Sequence, residues 1–172
     1  MSERVPAPGE LALIEALVNT LDIESGTDAL DTEDGRARFA LAEGEVPHAR
    51  ELRESLRATL LAHAGHPAHR ASTPLGELLA RAPLLVAIDA HDGSAHLTPV
   101  EAQPLLSRVA AAIAQAVLAG TWPRLKACEA PTCHWAYYDR SPAGRGRWCS
   151  MAVCGARAKM RTYRARQAGE PS

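Results

Sequence analysis

Two short segments near the C-terminus decide how that part of the chain folds: CEAPTC at residues 128–133 and CSMAVC at residues 149–154. They contain all four cysteines of the 172-residue chain, in a C-x4-C-x15-C-x4-C pattern. Four clustered thiolates bind Zn²⁺ tetrahedrally and leave no open position for a substrate. The spacing therefore predicts one structural zinc ion, and the predicted ligands are Cys128, Cys133, Cys149 and Cys154.

The competing interpretation of the cysteines is two disulfides, which form in an oxidising compartment. The N-terminal sequence MSERVPAPGE has no apolar run and does not resemble a signal peptide. The longest apolar stretch, residues 109–120, is shorter than the roughly 20 residues that cross a bilayer. We therefore expect a cytoplasmic protein, and this expectation favours zinc over disulfides.

The residues around the cysteines predict a small β-hairpin followed by a helix. Trp135 and Tyr137 alternate on one side of a turn-rich stretch at residues 140–146, and Trp148 follows it. We expect these aromatic side chains to form a small core, because a module of this size needs metal and large side chains to fold. Ser150 is predicted to cap a helix from Met151 to about Gln167, with Met160 and Tyr163 facing the small core.

Charge divides the chain into two unlike parts. Residues 1–120 contain 9 Lys or Arg against 17 Asp or Glu, whereas residues 121–172 contain 10 against 3. Unopposed arginines on a helix beside a zinc hairpin are typical of small modules that contact DNA phosphates. The residues predicted to contact nucleic acid are Arg145, Arg147, Arg157, Lys159, Arg161 and Arg164.

Two other functions are compatible with the same basic surface. One is a protein-interaction adaptor, in which the basic surface binds an acidic protein surface, including this chain's own N-terminal part. The other is binding of single-stranded RNA, with Tyr138 as a stacking platform.

The N-terminal part is predicted to be mainly helical, with one β-hairpin. Apolar residues recur at helical spacing in several segments, and Asp92-Gly93 favours a tight turn between two short strands. In the segment after Pro47, leucines alternate with Arg50, Arg53 and Arg57 in the pattern of a surface helix. The predicted helices are Glu10–Leu21, Thr32–Ala42, Pro47–Ala64, Leu75–Arg81 and Pro104–Leu118, and the predicted strands are Leu84–Asp89 and Ser94–Val100.

Few other residues in the chain suggest chemistry. Asn19 lies on an otherwise apolar helix, where an amide either satisfies a buried polar group or binds a ligand of the N-terminal domain. The run His63, His66 and His69 is predicted to lie on a solvated loop rather than to bind a second metal. No nucleophile-base pair, phosphate-binding glycine loop or H-E-x-x-H motif occurs, so we do not expect an enzyme.

The residues around the second cysteine pair resemble a known family. WCSMAVCGARAK at residues 148–159, with Cys128, Cys133 and Asp139, is similar to the CGNR zinc finger. The N-terminal segments at residues 11–13 and 17–20, with Asp28, resemble the ABATE domain that usually precedes this finger. The chain departs from the CGNR motif at Ala156, where the family has Asn.

This resemblance implies a bacterial stress-induced transcription regulator. It predicts a mainly α (α+β) protein with two parts: an ABATE-like helical domain at residues 1–120, as a sensor of a small-molecule effector, and a treble-clef-like zinc finger at residues 121–172. An Asn at position 156 could hydrogen-bond to a base edge or a phosphate, which Ala156 cannot. Because a single small finger reads few base pairs, we also expect a homodimer.

Overall fold

The computed structural model describes residues 5–101 and 104–168. The described residues form a mainly helical α+β fold, as predicted, with three two-stranded antiparallel sheets. The helices are α1 (Leu11–Val18), α2 (Glu33–Ala37), α3 (Val46–His63), α4 (Leu75–Leu79), α5 (Leu105–Leu118) and α6 (Ala156–Ala168). The strands are β1 (Leu21–Asp22), β2 (Thr27–Asp28), β3 (Leu84–Ile88), β4 (Ala95–Pro99), β5 (Leu125–Ala127) and β6 (Ala136–Tyr138).

Helices α1, α3 and α5 pack together around the main hydrophobic core. The apolar stripe of α1 is buried, as its periodicity predicted. In α3 the leucines at positions 52, 56 and 60 face the same core. In α5 the buried positions include Val109, Ala112 and Ala116, which share one helix face.

The polar face of α3 differs from the prediction of a surface helix. Arg53 and Arg57 are buried, and the Arg57 side chain has no exposed area. Arg57 donates to both carboxylate oxygens of Glu54 and to the carbonyl of Val18, while Arg53 donates to Glu54 and to Asp28. Buried charges of this kind need partners. Glu54 supplies one from α3 itself, while Val18 on α1 and Asp28 on β2 supply the others from positions distant in sequence.

Two predicted elements have different ends in the structure. Thr32 caps α2 as expected, since its hydroxyl accepts from the N–H of Gly35. However, α2 ends at Ala37 instead of Ala42, and Ala40 adopts a positive φ of 56°. The first predicted helix also ends early, at Val18, because Leu21 pairs with Asp28 in the β1–β2 hairpin.

The hairpin predicted around Asp92-Gly93 is present. Strands β3 and β4 pair from Leu84 opposite Pro99 to Ile88 opposite Ala95. Gly93 has a φ of 73°, a conformation that favours glycine at the turn. The hairpin packs against α5.

The C-terminal part is attached to the main core by its first strand. β5 packs against α3, and the side chains of Leu125, Ala127 and Ala136 belong to the same buried cluster as those of α1 and α3. The β5–β6 sheet therefore connects the N-terminal helices to the cysteine module. Among the described residues, no helix combines the length and the hydrophobicity that crossing a membrane requires.

Candidate metal centre and basic helix

The four cysteines converge at one point, as the spacing predicted. Their sulfur atoms all lie within 4.8 Å of one another, and no two of them are joined in a disulfide. The Sγ atoms of Cys133 and Cys149 are 3.6 Å apart, and those of Cys149 and Cys154 are 3.7 Å apart. A zinc tetrahedron with Zn–S bonds near 2.3 Å has edges of about 3.8 Å, so the sulfur positions fit this ion.

The cysteines form one structural zinc site. Cys128 and Cys154 are buried, and Cys133 and Cys149 are half-buried. Hydrogen bonds from the thiols of Cys133 and Cys149 lower the pKa of Cys128, while the hydrogen bonds with Cys128 and Cys149 raise the pKa of Cys133. Cys128 is therefore the thiol that ionises more readily of the two, and a metal ion that binds the cluster displaces the remaining thiol protons. When bound, zinc holds the two cysteine pairs together; four protein ligands leave no position for catalysis.

The ligands come from three different local structures. Cys128 directly follows β5, while Cys133 follows a turn in which its N–H donates to the carbonyl of Ala130. Cys154 lies in a π-helical turn, Met151–Gly155, that leads into α6. The prediction that the side chain of Ser150 caps this helix is wrong, because the side chain makes no capping hydrogen bond. The carbonyl of Ser150 accepts instead from the N–H of Gly155.

Gly155 lies close to two side chains of this turn and its flank. A Cβ atom there would lie 3.1 Å from the thioether of Met151 and 3.3 Å from the ring of Trp148. A side chain at this position would require Met151 or Trp148 to shift by a few tenths of an ångström.

A small core forms around the cysteines, but it contains Tyr137 and Trp148 without the predicted Trp135, and the hairpin pairing also differs from the prediction. Tyr137 and Trp148 pack against the cysteines. Strand β6 pairs with β5 rather than with the segment at Arg147 and Trp148, so that Leu125 lies opposite Tyr138. The carbonyl of Arg147 still accepts one hydrogen bond, from the N–H of Glu129. The partner strand β5 precedes the first cysteine, where no strand is predicted from the sequence.

A buried ion pair shapes the turn-rich stretch at residues 140–146. Lys126 on β5 donates to the carboxylate of Asp139 at 2.9 Å, and both residues are buried. Burial alone would raise the pKa of Asp139, but hydrogen bonds from Ser141, Lys126 and Gly146 hold it well below its usual value. The carboxylate is therefore ionised and binds the loop at both ends.

Arg124 reinforces the same loop from outside. Its guanidinium donates to the carbonyls of Asp139 and Ser141 at 3.1 and 2.8 Å. Arg124 and Lys126 are not among the residues predicted from the sequence to have a role. The sequence does contain a feature that points to Lys126, since it is the single charged residue in the short strand β5. A charged residue between two apolar ones in a buried strand needs a partner.

Helix α6 projects from the zinc site and carries most of the predicted basic residues. The prediction that Met160 and Tyr163 pack on the small core is wrong, since both are exposed at 49% and 58%. Within the described residues, four basic side chains of the helix have no hydrogen bond or ion pair with a carboxylate. They are Lys159, Arg161, Arg164 and Arg166.

Two of the predicted nucleic-acid contacts are engaged with acids of this chain. Arg157 forms an ion pair with Glu24 at 3.0 Å, and Arg147 forms one with Glu129. Both arginines remain largely exposed. Arg145 is also exposed, and its side chain has no partner among the residues that the structure describes. A groove between the segment at Arg147 and Trp148 and helix α6 is lined by those two residues, by Lys159 and by Arg161, among others.

Asn19 joins the N-terminal helices to the cysteine module. Its side-chain amide donates to the carbonyl of Ala136 at 3.0 Å and accepts from the N–H of the same residue at 2.7 Å. Both polar atoms of the amide are thus engaged with the β6 backbone. A ligand-binding role for Asn19 stays a prediction.

The three histidines at positions 63, 66 and 69 have separate partners. His63 bonds to the carbonyl of Leu125 at 2.8 Å, His66 lies 3.3 Å from Glu129, and His69 lies 3.3 Å from Glu54. Among the described residues, the four cysteines are the one group of three or more potential ligands close enough to hold a metal. The histidines therefore connect elements of the fold.

The fold and the cysteine site define a protein with a helical N-terminal part and a C-terminal zinc finger. A model of the CGNR zinc finger matches residues 124–167. The model of the ABATE family, described as "Putative stress-induced transcription regulator", matches residues 11–121. Because this second match covers well over half of the chain, the protein belongs to the ABATE family. No match to a curated protein was found.

Proposed function

We propose that the protein is a DNA-binding transcription regulator, in which α6 contacts DNA phosphates and the N-terminal domain senses a small molecule. The observation that carries the proposal is the exposure of α6, whose basic side chains at 159, 161, 164 and 166 have no acidic partner within the described residues. Lys and Arg that lie unpaired on one helix are the groups that replace counterions at a DNA backbone. In this proposal the protein acts in the cytoplasm and is not an enzyme.

The zinc site supports the proposal through its position. It lies at the N-terminal end of α6, and the β5–β6 sheet ties it to the main core. A helix held at one end and solvated on its sides can enter a DNA groove without prior unfolding of the protein. Family membership supports a regulatory role in general terms, and a homodimer would double the number of base pairs contacted.

The test is fluorescence anisotropy of a labelled DNA duplex, titrated with the zinc-loaded full chain at several salt concentrations. We expect affinity to fall steeply as salt rises. Arg161→Gln and Arg164→Gln should each weaken binding and lower the slope of log affinity against log salt by about 1. The matched control is Arg38→Gln, an exposed arginine on the N-terminal part, which should leave both the affinity and the slope unchanged.

A second function, a protein-interaction adaptor, is favoured by one specific contact. Arg157 already binds Glu24 across the two parts of the chain, and an acidic partner protein would use the same chemistry. Absence of duplex binding at low salt, with zinc still bound, would replace the DNA proposal with this one. Stronger binding of single-stranded RNA than of duplex would instead favour the RNA alternative. Tyr138 is less suited to stacking than expected, since it is half-buried and Arg140 lies 5.2 Å over its ring.

A further inference from the structure

A cavity of about 160 Å³ lies between α3, α4 and the first turn of α5. It is far in sequence from the zinc ligands, and none of its lining residues takes part in the zinc site or the basic surface. Its walls are mostly apolar. They include Leu41, Ala49, Leu52, Leu78, Leu105 and Leu106.

The size of the cavity limits what it can hold. A dry cavity of about 150 Å³ lined by aliphatic and aromatic side chains is large enough for benzene. Leu52, Leu78 and Leu105 are themselves almost fully buried, so the walls are fixed by the packing of the core rather than by mobile surface groups. The space therefore fits one aromatic ring or an aliphatic chain of about six carbons.

The charged groups at the cavity differ in whether they already have a hydrogen-bond partner within the protein. Glu45 accepts a hydrogen bond from the N–H of Ala42 at 2.8 Å, and Glu51 accepts one from the hydroxyl of Thr73 at 2.6 Å. Arg81 also lines the cavity, and its guanidinium contacts no hydrogen-bond or ion-pair partner within residues 5–101 and 104–168. A guanidinium matches a carboxylate with two parallel hydrogen bonds.

We propose that this cavity binds a small monocarboxylate whose apolar part is one ring or a short chain, with its carboxylate at Arg81. The apolar walls take the ring or chain, and burial of that surface supplies most of the affinity. The guanidinium selects acids over alcohols or amines of the same shape.

The cavity is connected to the zinc finger through the loop that precedes α4. Helix α4 follows a loop in which His66 contacts Glu129, the partner of Arg147 in the finger. In the same loop, the ring of His69 lies 5.2 Å from the ring of His134, next to a zinc ligand. This inference deepens the sensing role and rests on the proposed function for its biological meaning, but the binding itself involves no DNA.

The test is isothermal titration calorimetry of the zinc-loaded full chain with sodium benzoate and sodium hexanoate. Benzyl alcohol and benzylamine serve as neutral and cationic compounds of nearly the same shape. We expect benzoate to bind more tightly than either. Arg81→Gln should weaken benzoate by about tenfold and leave benzyl alcohol unchanged, while Arg38→Gln should change neither.

A cavity-filling variant separates specific binding from surface binding. Leu106 is half-buried, so Leu106→Phe should fill the cavity and abolish binding of benzoate and benzyl alcohol, with zinc content and helical circular dichroism unchanged. If that variant does not fold, Leu41→Phe gives the same test, because Leu41 also lines the cavity and is half-buried. Tighter binding of benzylamine than of benzoate overturns the proposal, as does unchanged binding in a folded filled variant. So does the absence of heat with either acid up to about 10 mM. None of these results depends on whether α6 binds DNA.

Discussion

Asn19 shows how one side chain can take the place of a strand. The inner edge of β6 pairs with β5, and the two backbone groups of Ala136 on the other edge bond to the Asn19 amide. Ala136 is fully buried, so no water is available to replace that amide. A single residue directly after α1 therefore completes the sheet of the finger.

Asn19→Ala should lower the free energy of unfolding by about 2 to 4 kcal/mol, because it leaves a buried N–H and a buried carbonyl without partners. Urea denaturation followed by circular dichroism measures this loss. Gln115→Ala on α5 is the matched control, since Gln115 is also an amide on a helix but is exposed. Equal stabilities of the two variants would show that the Asn19 hydrogen bonds contribute nothing.

At the scale of elements, α3 depends on polar contacts from other elements in addition to those of its own Glu54. Asp28 at the end of β2 accepts from Arg53 at 2.8 Å and from Arg50 at 3.1 Å. Burial alone would raise the pKa of Asp28, but the hydrogen bond and charge of Arg53, the N–H of Leu30 and the charge of Arg50 lower it. The ionised carboxylate therefore links the β1–β2 hairpin to α3.

This link predicts a pH dependence of stability. A carboxyl group whose pKa is lower in the folded state stabilises the protein above its unfolded pKa of about 4, and that contribution is lost as pH falls through the folded value. Asp28→Asn should therefore be less stable than the unmodified protein by about 1 to 3 kcal/mol at pH 7. The difference should stay constant to about pH 5 and shrink below about pH 4.

Urea denaturation of both proteins at pH 7, 5, 4 and 3 checks this expectation. Glu33→Gln is the control, because Glu33 is exposed and contributes no ion pair within the described residues. A stability gap for Asp28→Asn that widens in acid would contradict the assigned pKa shift.

Helix α6 is the opposite case, an element with little tertiary support. From Ala156 to Gln167 its side chains are exposed except for that of Ala158, which is half-buried. Its stability comes from good helix formers and from the zinc site at its first turn. Loss of zinc should consequently affect α6 first.

On the scale of the whole molecule, the two parts of the chain share one core. Leu125, Ala127 and Ala136 of the finger are fully buried among residues of α1 and α3. Removing the metal therefore removes support from the N-terminal helices as well as from the finger.

Chelation should lower the melting temperature of the entire chain. We expect the unfolding transitions measured by circular dichroism at 222 nm and by tryptophan fluorescence to shift together, because the core is continuous. Hydrogen exchange of the α3 amides should also speed up in the apo protein. An unchanged α3 exchange rate after complete zinc removal would show that the finger unfolds independently of the helices.

The sequence alone determined the local features of this protein. The cysteine spacing identified the zinc ligands, the 3.6-residue periodicity located α1, α3 and α5, and Asp92-Gly93 located the β3–β4 turn, because each of these signals lies within a few neighbouring residues. The tertiary structure decided what depends on contacts distant in sequence. It buried Arg53 and Arg57, paired β6 with β5, joined Asn19 to Ala136 and left Met160 and Tyr163 in solvent. A helical pattern shows which residues share a face, but only the folded chain brings the groups that cover that face. The Val18 carbonyl that accepts from Arg57 and the Ala136 backbone that binds Asn19 lie 39 and 117 positions away.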